Sequence, residues 1–185
     1  DSAFKRAGAA RGMAFSGEQV KSGAGELLNA RAGMESLQTS FEVLLGSKEK
    51  GKEFFGQLRD FGANTPLELP DLSKDAQTLL GFGIQAKDVM GILKDIGNIS
   101  MGDAQKMESL TLAFSQATSA GKLQGQDLLQ MINAGFNPLQ EIAARTGKTI
   151  AEVKDEMSKG AISADMLRQA FADAAGAGGK FDGML

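Results

Sequence analysis

Apolar residues along this chain recur at steps of three and four rather than two, which is the pattern of helices. From Glu26 to about Leu45, one side of a helix is marked by Leu27, Leu28, Met34, Leu37, Phe41 and Leu44. "GS" at 46–47 interrupts it, and Ser47 is placed to cap the next helix. That helix, about 48–62, turns Phe54, Phe55, Leu58 and Phe61 inward. "NTPLELPDLS" follows. Pro66 and Pro70 both disfavour a helical residue before them, which predicts an extended elbow, with Asp71 or Ser73 capping a short helix to about Leu80. "GFG" at 81–83 closes that helix. The next begins near Ala86 and carries Val89, Leu93 and Ile96 on one side until "GNISMGD" breaks it.

The stretch at about 103–119 is the cleanest amphipathic pattern, with Met107, Leu110, Phe114 and Ala117 in line. After the Gly-bracketed turn "AGKLQGQD", four more helices are predicted at about 126–134, 138–146, 149–159 and 163–175. No segment alternates apolar and polar residues, so little or no sheet is expected. No repeat of fixed period is present. The predicted fold is all-α: a compact bundle of short helices joined by Gly-rich turns, preceded by a longer N-terminal helix. Three segments result: an Ala/Gly-rich, flexible or partly helical 1–25, a helical domain over 26–175, and a Gly-rich end at 176–185 that is expected to fray. The ends, Asp1 and "GGKFDGML", suggest a piece of a longer chain, and no secretory leader is recognisable in it.

Composition narrows the chemistry. The chain has 24 Gly and three Pro and lacks Trp, Tyr, Cys and His, so Phe is its only aromatic. Without His or Cys there is no imidazole base, thiol nucleophile or common zinc site. The net charge of −3, with both signs mixed, argues against general attraction to nucleic acid or anionic lipid. No apolar run approaches the roughly 18 residues that span a bilayer. The polar face of 103–119, with Lys106 and Glu108, is not the basic surface of a membrane-lying helix. Membrane contact by this segment is therefore not expected.

Two motifs suggest chemistry and are weighed against plainer readings. Gly147-Lys148-Thr149 is the tail of a phosphate-binding loop, but the Gly required five positions earlier is Ile142, and a helix precedes it where a strand is needed. The plainer reading is a turn. Gly147 stops one helix, Thr149 caps the next with Glu152 completing a capping box, and Lys148 is solvated. The surrounding 137–160 reads as two helices on a tight turn. Asn137 caps, Pro138 opens the first helix, and Ile142, Ala143, Ile150, Val153 and Met157 face inward. This is the outline of a helix-turn-helix, and a DNA-binding regulator is the alternative function. Its second helix, however, sets Lys154 and Lys159 against Glu152, Asp155 and Glu156. Asp71 and Asp75 near a helix start read as dipole compensation. No carboxylate pair marks an acid/base couple. No catalytic, cofactor-binding or metal-binding residue is nominated, and no cofactor or small-molecule substrate is expected.

From about Leu37 to Phe181 the chain resembles the N-terminal domain of phage tail tape measure proteins. The resemblance is carried by "LQTSFEVLLGSKEKGKEFFGQL" (37–58), Thr65-Pro66, "LLGFG" (79–83), "VMGILKDIGN" (89–98), "GKLQGQDLLQMINAGFNPLQEIA" (121–143), "VKDEMSKGAIS" (153–163) and "GGKF" (178–181), in that order. It implies a structural protein of a phage or prophage that lies in the tail lumen, with the tube polymerising around it and its length setting tail length. The partners implied are tail tube and tail tip proteins, a tail assembly chaperone and copies of itself. Location follows: the host bacterial cytoplasm during assembly and the virion afterwards. Some tape measure proteins carry cell-wall hydrolase activity in other regions, which makes an enzyme domain the third reading. Even fully helical, 185 residues span only about 280 Å at 1.5 Å each, so this segment is a helical module attached to a ruler rather than the ruler.

Overall fold

The computed structural model describes residues 30–185, so segment 1–25, Leu27 and Leu28 lie outside the described residues. Nine helices follow one another: α1 (30–45), α2 (Lys48–Ala63), α3 (Leu69–Gly81), α4 (Ala86–Ile99), α5 (Ala104–Ala120), α6 (Gly125–Asn133), α7 (Pro138–Thr146), α8 (Ile150–Ser158) and α9 (Ala164–Ala175). No strand forms among the described residues. An isolated bridge pairs Lys122 with Ser163, and the Leu123 N–H donates to the Ile162 carbonyl at 2.8 Å, which ties the α5–α6 turn to the α8–α9 turn.

Local chemistry sets the helix starts. The side chains of Ser47, Asp103, Asn137, Thr149 and Ser163 each accept a backbone N–H of the first turn that has no partner inside the helix. The Pro66–Pro70 region departs from the predicted elbow. α3 already begins at Leu69, with Pro70 in its first turn. A first-turn N–H has no intrahelical acceptor, so Pro loses nothing by lacking one, and its fixed φ suits the helix. Asp71 and Ser73 therefore lie inside α3 and cap nothing.

The core is organised around α5, which packs on α3, α4, α6 and α9. Met107, Leu110, Phe114 and Ala117 are buried as their spacing predicts, but so are Ala113, Thr111 and Ser115. The stretch that read as amphipathic is the central one. The polar residues it buries are small, and the Ser115 hydroxyl donates to the Thr111 carbonyl at 2.7 Å. Phe171 of α9 meets Phe114 at 5.0 Å and Phe136 at 4.8 Å, both edge to face. A second aromatic group joins α1 to α2, with Phe41 lying 5.0 Å from Phe54 and 6.2 Å from Phe55.

Two expectations fail at the ends. In α1, Met34 and Leu44 are exposed rather than inward, and Leu37, Phe41 and Leu45 make its contact with the core. Residues 176–185, expected to fray, are docked. The Phe181 N–H donates to the Ala174 carbonyl at 2.8 Å, its ring is buried 6.2 Å from Phe136, and the Leu185 N–H donates to Asn98 Oδ1 at 3.0 Å. Gly179 permits this fold-back. A Cβ there would lie 2.2 Å from the Asp173 carbonyl oxygen.

Candidate functional site

The Gly147-Lys148-Thr149 triplet is a helix junction. Gly147 has φ +70° and ends α7 in the left-handed conformation that a side chain resists. Thr149 Oγ1 accepts the Glu152 N–H at 3.1 Å, so the cap forms, while the Glu152 carboxylate takes the Thr149 hydroxyl at 3.1 Å rather than the backbone N–H that a capping box uses. Lys148 is not simply solvated as the sequence suggested, since its ammonium pairs with the Glu156 carboxylate. The Glu152 N–H is used in capping, and the lysine that would reach a phosphate is paired with Glu156.

The α7–α8 hairpin has the connectivity of a helix-turn-helix without its electrostatics. Ile142, Ala143 and Val153 are buried as predicted, but Ile150 is 45% exposed. It sits at the open first turn of α8, and α8 packs chiefly on α7. Lys159 pairs with Asp155 at 3.0 Å, and Arg145 grips both oxygens of Asp173 at 3.0 and 2.9 Å. Arg145, Lys148 and Lys159 are thus held by carboxylates, and Lys154 stands among Glu152, Asp155 and Glu156 in sequence, leaving little to attract a phosphate backbone.

One carboxylate differs from its sequence reading. Asp75 is 3% exposed, between α3 and α5. Burial in the first place, then the Glu108 and Asp71 carboxylates, push its pKa up to about 7 against the opposing pull of Lys74. Lys74 turns away to Glu108, Nζ to Oε1 at 2.7 Å. The sequence held a signal for this: Leu72, Asp75, Ala76 and Leu79 share one stripe of α3, so Asp75 occupies a core position. Buried this deeply it is out of reach of a substrate. Glu108, the carboxylate that could complete an acid/base pair, is exposed and bound to Lys74. Among the described residues no three acids gather in a metal-binding group, and no helix is long and apolar enough to cross a membrane.

The remaining features are surfaces. Leu129 and Ile132 stand out from α6, 60% and 43% exposed, and Leu112 is exposed on the neighbouring α5. Leu129 also lines a groove of about 440 Å³ between these helices, walled by Gln105, Gln126, Gln130 and Asn133. Leu112, Leu129 and Ile132 are thus apolar side chains left facing solvent on neighbouring helices.

The family model described as Tape measure protein matches residues 25–184. The chain belongs to the tape measure protein family. Neither the comparison with curated proteins nor the comparison with solved structures returns a match. Tape measure proteins are structural components of phage tails. The segments that carried the resemblance now have physical roles in this tape measure domain. "GGKF" folds the C-terminal end back onto α9, and Gly97 and Asn98 of "VMGILKDIGN" seat Leu185. "SKEKG" caps α2 at Ser47 and lets it meet α1 closely at Gly51.

Proposed function

We infer that this domain is an assembly module of the tape measure protein, acting in tail length determination and tail assembly through protein–protein contacts. Its partners are tail tube and tail tip proteins, a tail assembly chaperone and further copies of itself. It works in the host bacterial cytoplasm while tails grow and in the tail lumen of the finished virion. It is not an enzyme. The reading is supported by the family match over residues 25–184, together with the exposed apolar side chains of Leu129 and Ile132 on α6 and Leu112 on α5.

Capture of the tagged protein from cells producing tails tests the reading. Tail components should co-purify, and the double variant Leu129→Glu, Ile132→Glu should lose at least one of them while keeping its helical circular dichroism. Equal recovery of every component by the variant would remove the α6 ridge from the account. Recovery of none by the unaltered protein would remove the assembly role itself.

A further inference from the structure

α5 and α6 fold back on each other through the turn 121–124, and the groove of about 440 Å³ between them is walled by amides. On α5, Gln105, Ser109 and Leu112 follow at steps of four and three, so they share one stripe. On α6, Gln126, Gln130 and Asn133 do the same. The Gln130 Nε2 donates to the Ser109 carbonyl at 3.3 Å and ties the two walls together. Gln105, Gln126 and Asn133 are exposed, and none of the three side chains is hydrogen-bonded within the described residues. Among the described residues, Lys106 is the one charged side chain in the lining. Leu129 and Ile132 rise along the α6 edge, 60% and 43% exposed, and Leu112 ends the α5 row.

That combination selects its occupant. A carboxamide carries both a donor and an acceptor, the same two functions as a peptide unit, so it can meet a backbone N–H and C=O together. A helix has spent those backbone groups on itself and presents only side chains, whereas an extended segment has them free. The spacing agrees. Gln126 and Gln130 lie about 6 Å apart along the axis of α6. Alternate residues of an extended chain lie about 6.6 Å apart. The side chains of such a segment leave at right angles to its backbone hydrogen bonds, to either side, where Leu129 and Ile132 on α6 and Leu112 on α5 offer apolar surface. A charged side chain would give up hydration for a lining that holds a single cation.

We propose that the α5–α6 groove takes an extended, uncharged segment of a tail protein. Its backbone bonds to the amides of Gln105, Gln126, Gln130 and Asn133, and its apolar side chains lie on Leu129, Ile132 and Leu112. Affinity comes from the main chain, and selection comes from the apolar rim and from the cost of bringing a charge to a nearly neutral lining. This names the chemistry of the partner at the α6 surface, and it rests on the assembly role of the domain.

The full chain with Leu112 replaced by the photo-crosslinker p-benzoylphenylalanine, made in cells producing tails, tests the proposal. Leu112 is exposed beside the groove and its replacement is also apolar, so the amides stay intact. Mass spectrometry should map the adduct to one short segment of a tail protein. A synthetic peptide of that segment should bind the unaltered full chain and lose about tenfold in affinity when single backbone N–H groups are methylated, at every second position. Gln126→Leu with Asn133→Leu should weaken the peptide by a similar factor while keeping helical circular dichroism. If that variant fails to fold, the methylated series on the unaltered protein stands alone. Indifference to methylation at every position would overturn the proposal, as would a peptide that binds as a helix or an adduct to a second copy of this chain. Tail components that co-purify with the protein while Leu112 yields no adduct would overturn the groove and leave the assembly role standing. Co-purification of none would remove both.

Discussion

Gly51 lies in the first turn of α2, buried where α1 passes over it. A Cβ added there would stand 2.4 Å from Glu42 Cα and 2.5 Å from Glu42 N. Those are backbone atoms that no rotamer change can move. Ordinary carbon contacts begin near 3.5 Å, so Gly51→Ala must push the helices apart by about 1 Å at the crossing. Phe41, one residue from that contact, is fully buried and 5.0 Å from Phe54. Opening the crossing forfeits part of the ~2–3 kcal/mol from burying Phe41 and part of the ~0.5–1.5 kcal/mol of its ring pairing. Opposing this is the gain of ~0.5–1 kcal/mol when Ala replaces Gly inside a helix. The steric loss wins, and Gly51→Ala should destabilise by about 1.5–3 kcal/mol, a fall of several degrees in Tm for a domain of this size. Gly56 in the same helix is the internal control, because its Cβ would meet nothing within 4 Å. Gly56→Ala should stabilise by about 0.5–1 kcal/mol. Thermal unfolding followed by far-ultraviolet circular dichroism suits a chain with neither Trp nor Tyr. A Gly51→Ala protein melting at or above wild type would refute the close crossing.

Asp75→Asn should change how stability depends on pH. The folded pKa of about 7 lies above the ordinary 3.8, so the stability that this carboxyl contributes is complete below about pH 4 and lost as pH rises through 7. At about 1.36 kcal/mol per pK unit the loss reaches up to about 4 kcal/mol by pH 8. The variant should recover much of that loss and flatten the profile in urea titrations at several pH values, and an unchanged slope would contradict the assignment. Phe171→Ala should cost about 3–5 kcal/mol in the same assay, since the ring is buried against Phe114 and Phe136, and a loss below about 1 kcal/mol would show that the body is centred elsewhere. Labelled duplex DNA at low salt should show no saturable anisotropy change with this protein, and Lys154→Glu should make no difference; salt-sensitive binding weakened by Lys154→Glu would reinstate the helix-turn-helix reading.

The parts of this fold governed by neighbouring residues were legible in the sequence. Ser47, Asn137 and Thr149 cap as their spacing predicts, and Gly147 ends α7, because a cap needs only the next three residues. The helices from α5 onward begin and end within a residue of their predicted bounds, whereas α4 runs on to Ile99, through the Gly97 and Asn98 expected to break it. Pro70 was misread because two local rules compete, and tolerance in the first turn outweighs the restriction on the residue before it. What covers a helix face was less legible. Met34 and Leu44 repeat at core spacing yet are exposed, while Asp75 is buried beside α5, a helix that follows much later in the chain. The docked end at Phe181 and Leu185 was missed for the same reason, since Phe136 and Asn98, which receive it, are distant in sequence. Function was invisible in any single motif and emerged from the order of many weak ones.

Quantitative mass spectrometry of purified particles from the phage or prophage that encodes this chain tests the central claim most directly. Peptides from residues 30–185 should be present in intact virions, in fixed proportion to the tail tube protein, and depleted from particles that have ejected their DNA. Their absence from intact virions, with the protein confined to the cytoplasm of producing cells, would contradict the account.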